Sequence, residues 1–243
     1  MYAVRRFLAS ATAGAAYPHA PADLRTVRIA GLEMPWRATV AITVTTLALL
    51  LDFSRTFIPE HIQDLGRLPE AIRFQALERV VVFGLVPLLV VLAVFRDRPS
   101  AYGLQIGDWR WGASLAVVGC VVMTPVVVWA AGQADFREYY AISTTDLGNL
   151  VVTHVLDLFP TEFIFRGFFM FAMIRVFGPV GVLIATMPFV FAHLGKPEFE
   201  LFSTLLGGLA YGWLNWRTGS ILWSALAHVY ILTLILWLVG PGP

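Results

Sequence analysis

Between Gly148 and Gly178 the chain reads GNLVVTHVLDLFPTEFIFRGFFMFAMIRVFG, apolar enough for a membrane helix yet carrying His154, Asp157, Glu162 and Arg166 in its middle. No other feature constrains the fold as strongly. Bringing an isolated charge to the centre of a bilayer costs roughly 2.5–3.5 kcal/mol on insertion scales, so such residues face the interior of a bundle and serve a site. At about 100° per helical residue, Glu162 and Arg166 share one face, while His154, Asp157 and Thr161 cluster on a second. Pro160 lies between the two sets, leaves the carbonyl of Leu156 without its usual donor, and is expected to kink the helix beside the charges.

The rest of the chain fits a membrane setting. Hydrophobic residues make up 58% of it, charged residues 14%, and the mean hydropathy is +0.74, outside the soluble range. The expected fold class is all-α, a polytopic transmembrane helix bundle of about seven spans with a catalytic-type core in the last four. The spans are placed near 38–54, 79–95, 112–131, 148–178, 180–193, 199–216 and 219–239. Residues 55–78, which mix charges with Phe57, Ile62 and Phe74, are expected to form an interfacial loop with short amphipathic turns. Residues 133–147 are expected to be a polar loop. Three parts follow: an N-terminal tail over 1–35, N-terminal spans and interfacial loop over 36–99, and a membrane core over 100–243.

Arg5-Arg6 is a faint twin-arginine pattern, but the Ala-rich stretch after it, with AGAA at 13–16, is too short for a signal h-region. A tail on the cytoplasmic side is expected, because with the N-terminus inside, ten Lys and Arg fall on that side and six on the other. This points to a multi-pass protein of the cell membrane. A net charge of +1 gives no reason to expect a nucleic-acid partner, and the single cysteine, Cys120, excludes an internal disulfide and a Cys-based zinc cluster.

His193, near the end of the fifth span, and His228, inside the seventh, are further ionisable groups in apolar helices. Hydrolysis within a membrane needs a trapped water, a carboxylate or imidazole to take its proton, and a donor for the oxyanion. Two histidines and a carboxylate also suit zinc, yet neither H-E-x-x-H nor a His pair at helical i, i+4 spacing is present, so no metal or other cofactor is expected. The run Phe163, Phe165, Phe168, Phe169, Phe171 reads as lipid-facing and packing surface. Gly207, Gly208 and Gly212 read as points of close helix contact.

Thr161-Glu162-Phe163-Ile164-Phe165-Arg166-Gly167, then Phe189-Val190-Phe191-Ala192-His193, then His228 resemble, in order, the three motifs of the CPBP family, the CAAX proteases and bacteriocin-processing proteins also called Abi. Tyr102-Gly103-Leu104 and Gly107-Asp108-Trp109-Arg110 resemble the connection that precedes them. The resemblance covers roughly 100–240. It implies an intramembrane endopeptidase of glutamic type with Glu162, His193 and His228 as catalytic positions and Arg166 and Phe189 in support. The family's first glutamate, held to activate water, falls on Thr161, and its last polar residue falls on Leu232. Three readings follow: a protease in which Asp157 or Glu162 supplies the base, a non-catalytic relative that binds a membrane peptide or escorts a partner, or a proton-coupled transporter. The expected partners are the lipid bilayer and a membrane-anchored protein or peptide substrate.

Overall fold

The computed structural model describes residues 5, 9–10, 21–55, 57–64, 69–141 and 146–240. Most of the expected tail, including Arg6 and the AGAA run, lies outside these residues. Its last part is structured: β1 (Thr26–Ile29) and β2 (Leu32–Pro35) form an antiparallel hairpin, with Ile29 opposite Leu32. The two-residue turn is Ala30-Gly31, both at positive φ, the geometry whose twist matches that of the strands.

The remaining regular elements among the described residues are helical. In chain order the helices are α1 (Trp36–Ser54), α2 (Glu60–Gln63), α3 (Pro69–Phe95), α4 (Trp109–Ala131), α5 (Ala134–Tyr140), α6 (Leu147–Glu162), α7 (Val180–Phe191), α8 (Glu198–Thr218) and α9 (Leu222–Val239). Beyond Glu162, α6 continues as a π segment over Phe163–Phe169 and a further helix over Met170–Phe177. Caps mark the boundaries. Asp108 accepts from the Trp111 N–H at the start of α4, and Asp146 from the N–H groups of Gly148 and Asn149 at the start of α6. Gly219 ends α8 in the left-handed conformation.

The all-α membrane bundle expected from the sequence is what forms. By length and composition α1, α3, α4 and α9 are each able to cross a membrane, and α7 is a shorter apolar helix. The remaining two expected spans fall on α6 and α8, which carry the buried polar groups. The second span is longer than expected: α3 begins at Pro69 and absorbs ten residues assigned to an interfacial loop. Those ten residues carry Glu70, Arg73 and Glu78, which interrupt the apolar pattern, with Glu70 and Arg73 exposed on the helix. Arg79, taken as a boundary residue, lies inside the helix and is neutralised there by Asp52 of α1 and Asp157 of α6. The expected polar loop at 133–147 also contains α5.

The core forms around the second half of the α6 segment. Phe163, Phe168, Met170 and Met173 pack against Ala38 and Ala41 of α1, Val91 and Phe95 of α3, and Val182 and Ala185 of α7. Phe163, Phe165, Phe168 and Phe169 are all buried, so the Phe-rich run is core and not lipid-facing surface. The segment has neighbours on every side because α1 and α3 cover the face that a peripheral helix would give to lipid. Of the three glycines read as contacts, Gly208 and Gly212 lie against Thr186 and Val182 of α7, whereas nothing approaches Gly207. At the far end of α6 a buried set of Asp23, Arg37, Asp97, Tyr102 and Arg175 ties the segment preceding the hairpin to α1, to the end of α3 and to α6.

Candidate active site

The elements that place the site are α6, α7, α8 and α9, the last four of the bundle. Glu162 ends the regular part of α6 and is fully buried. Three side chains donate to it. Arg166 Nη1, one turn on, reaches Oε1 at 2.9 Å; His228 Nδ1 of α9 reaches the same oxygen at 2.9 Å; Ser224 Oγ, one turn before His228, reaches Oε2 at 2.9 Å. Asn215 of α8 donates in turn to Ser224 Oγ at 2.9 Å. A carboxylate with this many donors is held in one orientation.

The helix changes pitch at this point. Pro160 is accommodated within α6, and the widening to a π segment starts at Phe163, one residue past Glu162. Such i+5 segments re-aim side chains and occur often at functional sites. Here the insertion falls between Glu162 and the aromatic core, so both sets of side chains are buried.

Phe189 of α7 is the spacer. The Arg166 guanidinium lies 3.5 Å over its ring centroid, His193 packs on it at 4.4 Å, and His228 meets it edge-on at 6.0 Å. His193 Nδ1 donates to the Phe189 carbonyl at 2.8 Å, which fixes that ring's tautomer. Thus the structure brings Glu162, Arg166, Phe189, His193 and His228 together around one point. A cavity of about 90 Å³ adjoins it, lined by His228 and Leu232 of α9, Val127 of α4, Phe199 and Glu200 of α8, and Lys196. His193 does not line this cavity; the Phe189 ring stands between it and His228.

Of the expected site residues, Thr161 spends its hydroxyl on a backbone carbonyl, and Asp157 is held elsewhere. Its carboxylate accepts from Arg79 Nη1 at 2.7 Å, and Arg79 is also bidentate to Asp52 at 2.6 and 2.9 Å. Thr161 lies one turn on, and its Oγ1 donates to the Asp157 backbone carbonyl at 2.7 Å. The cation arriving from α3 turns the Asp157 carboxylate towards the α1–α3 side. His154, on the same part of α6, pairs with Thr233 Oγ1 of α9 at 2.8 Å.

Residues 143–234 match the family model described as type II CAAX prenyl endopeptidase Rce1-like. This segment is CAAX-protease-like. The matched range runs from the start of α6 into α9 and contains the three motifs read from the sequence. No curated protein matches the chain, and no solved structure does.

Within this CAAX-protease-like segment, sequence reasoning missed Ser224 and Asn215. Ser224 was legible, because it sits four residues before His228 on the same face of α9. Asn215 had the weaker signal of one amide in a glycine-rich span. Among the described residues, no group of three or more His, Cys, Asp or Glu has a metal-ligating arrangement.

Proposed function

We propose that the protein is an intramembrane endopeptidase in which His228, oriented by Glu162, activates the attacking water. The observation that carries this is the 2.9 Å contact between His228 Nδ1 and a fully buried Glu162 carboxylate, at the edge of the cavity. An ionised carboxylate only accepts, so Nδ1 carries the proton and Nε2 is the basic nitrogen of the ring. Glu162 is less suited to be the base itself, because both of its oxygens already accept hydrogen bonds. The arrangement is the carboxylate–imidazole pairing by which hydrolases hold a histidine ready for general base catalysis.

The reaction balances with these groups. Water adds to the carbonyl carbon of the scissile peptide as His228 Nε2 takes its proton. The tetrahedral intermediate then collapses, the C–N bond breaks, and the imidazolium returns the proton to the leaving nitrogen. Arg166 Nη2, buried with no hydrogen-bond partner, is a spare donor in the same cluster for developing negative charge. The substrate is a membrane-anchored protein or peptide whose apolar segment occupies the cavity beside His228. A purified, detergent-solubilised sample incubated with membrane-anchored peptides tests the proposal: cleavage that His228→Gln abolishes supports it.

A second reading, a relative that binds such a peptide without cutting it, is favoured by Leu232. This residue lines the cavity one turn beyond His228, where the family resemblance would place a polar group. Substrate capture with no product in the same assay selects that reading.

A further inference from the structure

Every turnover of a hydrolase consumes a water molecule, and the cavity beside His228 is lined mainly by apolar side chains that a substrate would cover. We propose that water reaches the site by a second path, the polar seam between α3 and α6, and that Thr153 and His154 form its neck; this rests on the hydrolytic reading given above.

The seam is written along α6. Asn149, Thr153, Asp157 and Thr161 stand four residues apart, so they form one slowly winding row that ends beside Glu162. Residues on the outer face of the same helix are apolar and exposed: Val151, Val152 and Val155 are 39%, 60% and 41% accessible. Asn149 at its head is half-buried, Thr153 and Thr161 are buried at 6% and 7%, and Glu162 beside its end is at 0%. Helix α3 matches the row with cations. Arg73 bonds Asn149, and Arg79 bonds Asp157.

A small cavity of about 20 Å³ opens at the head of the row, between Pro69 and Ile72 of α3, Asn149, Thr153 and His154 of α6, and Leu236 of α9. About 10–15 Å³ on this measure holds one water, provided two to four polar partners are in reach, and Asn149, Thr153 and His154 supply them. His154 then carries the path inward. It is 2% exposed and bonds Thr233, five residues beyond His228 on α9. Helix α9 divides the two spaces. His228, Leu232 and Ile235 line the larger apolar cavity, while Leu236 lines the small polar one.

Radiolytic hydroxyl-radical footprinting of the whole protein in detergent tests the path, because radicals form from the water that sits beside a side chain. His154 should be modified although it is buried, whereas Met170 and Met173, both 0% exposed in the aromatic core, should not be, despite the greater reactivity of sulfur. Thr153→Leu removes one polar partner and fills the neck, and should lower His154 modification about tenfold, the scale expected for displacing one ordered water. An unmodified His154 in the unaltered protein, or one modified equally in Thr153→Leu, overturns the proposal. Where cleavage is measurable, Thr153→Leu should reduce kcat by a similar factor with KM unchanged; a rise in KM alone would mean that the seam serves substrate and not water. If the unaltered protein cleaves nothing yet His154 is modified, the protease reading fails while the water path stands.

Discussion

Replacing Arg166 by alanine is the sharpest perturbation of the site. Arg166 is 1% exposed and Glu162 0%, so the variant strands a buried carboxylate. Breaking a buried pair by removing one partner costs about 3–5 kcal/mol. Two donors remain on Glu162, Ser224 and His228, each at 2.9 Å, and the loss should fall at the low end, about 3 kcal/mol. The guanidinium also covers the Phe189 ring at 3.5 Å, so its removal opens packing as well as charge. Thermal unfolding in detergent and folded yield from membranes are the assays. Glu162→Gln/Arg166→Ala, which removes the stranded charge, should recover part of the loss, and the double-mutant cycle gives the coupling. Arg166→Ala with normal yield and an unchanged unfolding midpoint would refute the claim that the pair is buried and mutually dependent.

Other outcomes follow from the same geometry. Gly181→Ala places a Cβ 2.4 Å from the backbone nitrogen of Ile174, so it should destabilise by about 1–3 kcal/mol in the same unfolding assay. Arg79→Leu leaves Asp52 and Asp157 unpaired and should lower yield more than Asp157→Asn does, since the latter keeps one bidentate pair intact. If the protein is a weakened protease, Thr161→Glu should raise cleavage of a membrane-anchored peptide, while a dedicated binder gains nothing from the extra buried charge. Leu232→Asn adds a polar group to the cavity beside His228 and should raise kcat in the first case and weaken peptide capture in the second.

Much of this architecture was legible in the sequence. The Glu162–Arg166 pair follows from i, i+4 spacing and the cost of a bare charge in lipid, both local facts. His193 and His228 stood out for the same reason. What failed was non-local. Asp157 is on the expected face of α6, but its partner is Arg79, 78 residues earlier in the chain, and nothing in the local pattern indicates that contact. The first ten residues of α3 look like a loop because Glu70, Arg73 and Glu78 interrupt the apolar pattern, although the helix runs through them with Glu70 and Arg73 exposed. The phenylalanines after Glu162 read as lipid-facing as well as packing surface, and only the packing holds, because periodicity cannot distinguish a helix at the bundle edge from one surrounded by others.

The central claim, that Glu162 orients His228 as the base, is tested most directly by comparing hydrolysis of one membrane-anchored peptide by the unaltered protein, His228→Gln, Glu162→Gln and Asp157→Asn. His228→Gln should abolish cleavage, Glu162→Gln should lower kcat by orders of magnitude through the loss of tautomer control, and Asp157→Asn should retain activity. Cleavage that persists in His228→Gln but disappears in Asp157→Asn would contradict the account and return the base to Asp157.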